Sequence, residues 1–309
     1  MSRAVILTEN FAGMKSQAIG FAQRAGFQTE LCHLTPKLPW SLISAPYWPF
    51  PLSSVQSFEV ADSSILISVG SVGGVINAAL RKKGRPSIHI QNPRISACKF
   101  DLVVVNPHDN LTGENVLVSR TALHHITSEL LLKNKNLWSG HFKTDEQYLV
   151  TVLIGGNNGR FILGEKEAHH IADQLTELIK VEKIQVALTP SRRTNPQVIK
   201  IFQDRLVPLG AYIWDGKGDN PYLGLLACAD TILVTTDSVS MISEAVATPV
   251  PVMVLPLPGK SKRILSFIQS MQEQNRIKIF DGHLEEWAVK PLDDTEEIVF
   301  KAKRYLHLL

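Results

Sequence analysis

The sequence predicts an α/β protein of two Rossmann-like, doubly wound domains facing a central cleft, with a final helix returning to the first lobe. Three observations carry this. At 309 residues the chain is long for one domain and comfortable for two of roughly 150. Apolar runs rich in β-branched residues alternate with segments of helical period along most of its length. The runs are apolar on both faces, as in a parallel sheet covered by helices on both sides.

The second half reads most clearly. "YLVTVLIGG" (148–156) is a strand that stops at two glycines, and Ala168, Ile171, Ala172, Leu175, Leu178 and Ile179 then recur at helical spacing. "IQVALTP" is a strand and "PQVIKIFQDRL" a helix with proline at its start. "AYIWDG" and "TILVTT" are strands on either side of a short helix, "NPYLGLLACAD". "SVSMISEAVAT" is a helix, "VPVMVLPLP" a strand and "KSKRILSFIQSMQEQ" a helix.

The first half repeats the scheme less regularly. "RAVILT" is a strand, followed by a helix over 14–25; "ILISVG" leads through "GSVGG" into a helix over 72–82; "PSIHIQN" and "LVVVN" are further strands. The polar stretch 133–147 lacks periodicity and reads as the linker. The expected domains are 1–140 on the acceptor side, 146–290 on the donor side, and a tail, 291–309, packing back on the first domain. That tail has acidic residues in its first turn and basic ones towards its end, which suits a helix dipole.

One segment breaks the pattern. "PKLPWSLISAPYWPFPLSS" (36–54) carries five prolines with Trp40, Tyr47, Trp48 and Phe50. Prolines at this density forbid regular helix or central strand, and the aromatics argue against disorder. The loop is either a lid, an acceptor wall or a membrane-touching patch, or it tucks its aromatics onto its own domain.

Composition excludes several classes. A formal net charge of +3 with dispersed Lys and Arg gives no nucleic-acid footprint. Three cysteines, Cys32, Cys98 and Cys228, lie far apart and fit free thiols in a reducing compartment. The start, "MSRAVILTEN", reads as a first strand and not a signal peptide. No apolar run approaches the ~18–20 residues of a membrane span, so the expected location is cytoplasmic, with peripheral membrane contact left open. The adjacent pairs His124–His125 and His169–His170 point to different sides of a helix, and there is no H-E-x-x-H, cysteine cluster or G-x-S-x-G. No cofactor or metal is expected.

Candidate ligand residues cluster at strand ends. In "TTDSVSMISEA", Asp237 or Ser238 can cap a helix, and the same N–H groups can hold an anion. Ser240 and Glu244 share a helical face at i, i+4, and a carboxylate there can take ribose hydroxyls; the alternative is a capped helix with a solvated glutamate. In "IGGNNGRF", Gly155 and Gly156 let backbone approach a phosphate, or simply make a tight turn. "TPSRRTNP" sets Ser191, Arg192 and Arg193 at the next strand end, where a guanidinium fork suits a diphosphate. Glu9, His89 and Asp109, near strand ends of the first lobe, are candidate general bases, though buried, hydrogen-bonded histidines are the commoner case.

Taken together, "SRRTNP", "YIWDGKGDNPYLGLLACADTILVTTDSVSMISEA", "IFDG", "HIQNPR" and "FDLVVVNPHDNLTGENVLVSRTALHHIT" resemble the "elongated mitochondria" mitochondrial-fission family of plants and its bacterial relatives. The resemblance covers most of the chain. It implies a GT-B-like fold; the bacterial members are described as nucleoside-diphosphate-sugar epimerases, and the plant members are associated with the outer mitochondrial surface and a dynamin-type fission protein. It is also similar to the donor site of GT-B glycosyltransferases and non-hydrolysing epimerases. Ser238 and Ser240 would then approach phosphate or sugar, Glu244 the ribose, and Arg192 or Arg193 the diphosphate. Two departures stand out: "ATPVPV" replaces a Gly-Lys-Pro turn, and Asn92 occupies a position that is titratable in some relatives. The expected function is binding of a nucleotide-diphosphate sugar, such as a UDP-sugar, and metal-independent transfer to an acceptor. The loop over 40–50 would face a lipid-linked acceptor or a membrane surface. The alternatives are a non-catalytic membrane-surface scaffold and a nucleotide-sugar epimerase.

Overall fold

The computed structural model describes residues 2–61, 64–142 and 147–308. The chain divides into two compact units. The first runs to His125 and resumes at Asp293, and the second is Ile126–Leu292. Each is built on a six-stranded, all-parallel sheet. The doubly wound α/β class expected from the apolar alternation is the observed one.

In the first unit the strands are β1 (Arg3–Thr8), β2 (Gln28–His33), β3 (Ile65–Val69), β4 (Ser87–Ile90), β5 (Leu102–Val105) and β6 (Val116–Val118). They are ordered β2-β1-β3-β4-β5-β6, so the winding reverses between β1 and β3. Helices α1 (Ala12–Arg24) and α2 (Gly70–Leu80) cover the sheet. β2 was not expected, because "QTELCH" lies at a sheet edge and is mostly exposed, leaving no apolar run to read. The glycines of "GSVGG" serve packing: a Cβ on Gly73 would stand 2.5 Å from the Leu7 carbonyl oxygen, and one on Gly74 3.0 Å from the His89 ring. Only glycine lets α2 lie this close to its strands.

In the second unit the strands are β7 (Leu149–Ile154), β8 (Gln185–Pro190), β9 (Tyr212–Ile213), β10 (Thr231–Thr235), β11 (Val252–Leu255) and β12 (Ile277–Ile279). The order β12-β11-β10-β7-β8-β9 puts the reversal between β7 and β10. Helices α3 (Ser128–Phe142), α4 (Glu165–Glu182), α5 (Pro196–Leu206), α6 (Tyr222–Cys228), α7 (Val239–Val246) and α8 (Lys262–Glu273) complete it.

Most of the stretch read as a linker is α3, and this corrects the expected boundary. The helix is largely exposed, which hides its period, and it docks through Trp138 and Phe142, whose rings stack at 5.4 Å. Gly224 of α6 makes room for it: a Cβ there would stand 2.3 Å from the Trp138 ring. Lys143–Glu146, also inside that expected linker, lie outside the described residues.

From Asp293 the chain re-enters the first unit as α9 (Thr295–Tyr305), which packs on α1 and β6 and buries Ile298, Val299 and Ala302. Arg120 holds Asp294 through Nε at 3.0 Å, and Arg24 pairs with Asp293 at 3.1 Å. Among the described residues no helix is long and apolar enough to cross a membrane.

Candidate functional site

In a doubly wound sheet the crevice at the carboxyl ends of the strands opens where the winding reverses. In the second unit that point lies between β7, which ends in Gly155–Gly156, and β10, which leads into Asp237–Ser238. The Asp237 carboxylate fills it. Its side chain is wholly buried and accepts three hydrogen bonds: from Thr235 Oγ1 at 2.7 Å, Gly156 N at 3.1 Å and Arg193 Nη2 at 2.9 Å. Thr235 Oγ1 in turn accepts from Gly155 N at 2.8 Å. A buried carboxylate is tolerable only with such partners.

The glycines are required by proximity. A Cβ on Gly155 would lie 2.1 Å from Asp237 Oδ1, and one on Gly156 2.3 Å from the Arg193 carbonyl oxygen. Their two N–H groups, expected to meet a phosphate, are instead engaged by Thr235 and Asp237. The loop beyond is equally tied down. Asn158 Nδ2 donates to the Asp237 carbonyl at 3.0 Å, and Asn158 Oδ1 accepts from Phe161 N at 2.9 Å.

"SRRT" forms a closed turn after β8. Ser191 N donates to Thr194 Oγ1 at 2.9 Å, and Ser191 Oγ accepts from Arg193 N at 3.2 Å. This turn aims the Arg193 guanidinium at Asp237 while leaving its side chain 43% exposed. Arg192 is exposed and makes no hydrogen bond or ion pair among the described residues.

Ser238 caps α7, its Oγ accepting from Met241 N at 3.4 Å, and Ser240 is half-buried in the first turn. Glu244 is not the solvated residue that capping alone would leave. It is 7% exposed, and Oε2 accepts the Tyr222 hydroxyl at 2.5 Å. Burial, and then the neighbouring carboxylate, hold the Tyr222 phenol well above its ordinary pKa, so it stays a donor. Tyr222 escapes sequence reasoning because it lies 22 residues from Glu244 in the chain; its only local mark is its place behind the "NP" that opens α6.

The three candidate bases of the first unit are not brought together. β3 and β4 separate β1 from β5, so the strand ends carrying Glu9 and Asp109 stand about 14 Å apart at ordinary strand spacing. His89 is corrected to a core residue: it is fully buried in β4, stacks on Phe100 at 5.0 Å and bonds Ser68 Oγ through Nδ1 at 2.8 Å. Burial lowers its pKa to about 3, so the ring is neutral. Asp109 caps a short turn, accepting from Asn106 N at 3.2 Å. Glu9 alone lies where its sheet reverses, beside Gly70 at the start of α2. Burial raises its pKa, and a hydrogen bond with the Val72 backbone opposes the rise.

Known proteins share this architecture. The structure of UDP-N-acetylglucosamine 2-epimerase from Rickettsia bellii matches with a TM-score of 0.53 at 14% identity, over 100% of this chain and 96% of that one. The glycotransferase of kitacinnamycin matches with a TM-score of 0.54 at 12% identity, over 99% and 96%. The chain therefore has the GT-B-like fold of such epimerases and glycosyltransferases. In sequence, the "Mitochondrial fission protein ELM1" of Arabidopsis thaliana is 30% identical over 281 residues, which cover 81% of this chain and 66% of the plant protein. About a third of that relative thus lies outside the match. The profile of the family described as Mitochondrial fission ELM1 spans residues 12–304, and the chain belongs to this family.

Proposed function

We propose that the second unit binds a nucleoside-diphosphate sugar, such as a UDP-sugar, at the carboxyl end of its sheet, and that the chain transfers the sugar to an acceptor hydroxyl. The observation that carries this reading is the array around the β7–β10 reversal. Arg193 is held half-exposed by a buried carboxylate, Arg192 stands beside it without a partner among the described residues, α7 presents its N-terminus, and Glu244 is buried behind. A diphosphate would meet Arg192, Arg193 and the first turn of α7. Glu244, oriented by Tyr222, would accept the ribose hydroxyls. Gly155 and Gly156 would act one step back, by admitting the carboxylate that positions Arg193.

In the transfer the acceptor oxygen bonds to the anomeric carbon as the bond from that carbon to the diphosphate breaks. The nucleoside diphosphate leaves with its charge stabilised by the two arginines and the helix dipole. The acceptor proton passes to a base. The folds of the epimerase and the glycotransferase support a nucleotide-sugar ligand and leave the choice of reaction to experiment.

The test is thermal unfolding with a panel of nucleoside diphosphates and their sugars, on wild type and Arg192→Ala. Arg192 has no partner to lose among the described residues, so the variant should unfold like wild type without ligand. Ligand at one hundred times its dissociation constant adds about 2.7 kcal/mol and raises Tm by several degrees. A rise with one nucleotide family, reduced in the variant, is the expected result. No rise with any nucleotide would remove this reading and leave a non-catalytic scaffold.

A further inference from the structure

A second cationic turn stands beside the array at the β7–β10 reversal. It reads "PGKSKR" over 258–263 and follows β11. The loop after β7 crosses the end of β10 to meet it, and the two tips are fastened backbone to backbone. Phe161 bridges Gly259, Ile162 N donates to the Pro258 carbonyl at 2.9 Å, and Lys260 N donates to that of Arg160 at 3.1 Å. Glycine is required at 259, where φ is +147° and a Cβ would stand 2.1 Å from the Arg160 carbonyl oxygen. Ser261 caps α8, its Oγ accepting from Ile264 N at 3.4 Å, which fixes the far end of this clasp.

The clasp carries charge. Arg160, Lys260 and Lys262 are exposed, and their side chains make no hydrogen bond or ion pair among the described residues. Neither arm, 157–163 or 256–263, contains a carboxylate. Glu165 and Glu167 open α4 just beyond, and Glu167 is already engaged, accepting from Gly164 N at 3.0 Å. On the β12 side Glu285 is paired with Lys278, and Asp281 accepts from His283 N at 3.2 Å. Thr236, one residue before Asp237, roots the clasp beside the first turn of α7: its Oγ1 donates to the Leu255 carbonyl at 2.8 Å and accepts from Leu257 N at 3.2 Å. Tyr222 and Glu244 mark the opposite direction. Tyr222 belongs to α6, which packs on β7, whereas the turn of the clasp comes from β11, on the other side of β10.

We propose that this clasp binds a carboxylate on the sugar, so that the ligand is a nucleoside diphosphate linked to an acidic sugar such as a uronic acid. The proposal rests on the nucleotide-sugar reading above and names the class of sugar. With the ribose at Glu244 and the diphosphate at Arg192, Arg193 and the first turn of α7, the sugar leaves on the β11 side, where Arg160, Lys260 and Lys262 stand. The diphosphate is already matched by the two arginines and the helix N-terminus. Further cations on a fixed backbone complement a further negative charge, which a neutral sugar does not carry.

The experiment is calorimetric titration of the full chain at low salt with UDP, UDP-glucose and UDP-glucuronate, and with GDP, GDP-mannose and GDP-mannuronate. Within the nucleotide family that binds, the uronate should bind about tenfold tighter than the neutral sugar, as a charge-assisted hydrogen bond provides. That preference should shrink as salt is raised, which separates charge from fit. Arg160→Ala with Lys260→Ala should erase it, so that uronate and neutral sugar bind alike. The backbones of these residues, not their side chains, close the clasp, and circular dichroism checks that the variant folds. Equal affinity for uronate and neutral sugar in wild type would overturn the proposal and leave the nucleotide reading standing. A preference that survives in the double variant would do the same, by placing the recognition of charge elsewhere. Binding of none of the six compounds would remove both.

Discussion

Arg193 and Asp237 are 44 residues apart in the chain, yet the guanidinium holds the carboxylate at 2.9 Å where the second sheet reverses. The pair is lopsided: the Asp237 side chain is fully buried, while that of Arg193 is 43% exposed. Removing the buried member strands the Gly156 N–H and the Thr235 hydroxyl, whereas removing the exposed one leaves Asp237 two donors. Asp237→Ala should therefore cost about 3 kcal/mol of stability and Arg193→Ala about 1 kcal/mol in urea unfolding. Equal losses would mean that the carboxylate depends on Arg193 alone.

Gly155 and Gly156 look equivalent in sequence and should respond differently. The Cβ of Gly155→Ala collides with the Asp237 side chain, that of Gly156→Ala with the Arg193 backbone. Either substitution should destabilise by about 1–3 kcal/mol or more. In an Asp237→Ala background the penalty of Gly155→Ala should shrink while that of Gly156→Ala persists. A double-mutant cycle that finds both penalties unchanged would refute the steric account.

His89 makes the first unit sensitive to acid. Its folded pKa lies near 3, below the unfolded value of 6.5, because burial disfavours the charged ring. Its contribution is thus complete above about pH 6.5 and declines as pH falls towards 3. Between pH 6.5 and 5 unfolding free energy should drop by up to about 1.4 kcal/mol per pH unit, before most carboxylates titrate. His89→Leu should be less stable at pH 7, having stripped Ser68 of a partner, but flatter over that interval. A variant with the wild-type slope would point to another group.

Tyr222→Phe removes the hydroxyl from the buried Glu244 and keeps the ring. A hydrogen bond to a charged group is worth about 1.5–3 kcal/mol, and a loss of that size is expected in unfolding. If Tyr222 orients Glu244 for a ribose, the same variant should weaken nucleoside diphosphates more than inorganic diphosphate, which carries no ribose. Equal weakening of both would confine Tyr222 to folding.

How much of this was legible depended on range. β7, β10 and β11 are buried, apolar and β-branched, so each announces itself within a few residues. β2 lies exposed at an edge and has no face that composition marks, whereas β9, only two residues long at the other sheet's edge, falls within the strand read in "AYIWDG". α3 was hidden because its leucines do not mark a single buried face, Leu132 and Leu137 being exposed, and Trp138 needs Gly224 of another helix to explain its presence. In the candidate site, the residue types suited to a diphosphate stood at the strand ends in the sequence. Their present partners did not, since Gly156 meets Asp237 across 81 residues.

The sequence by itself determined the class, because burial on both faces of a parallel strand demands continuous apolar runs and the covering helices demand their own period. It also determined the helix starts, where Ser238 and Asn195 accept from N–H groups only two or three residues away. Only the tertiary structure decided that His89 is a core residue, that Glu244 answers to Tyr222, and that the two glycines admit the buried Asp237 carboxylate. Hydrophobic period and helix caps are local and recur in the chain. A buried charge is satisfied by whichever donors the sheet order brings beside it, and that order is a property of the folded whole.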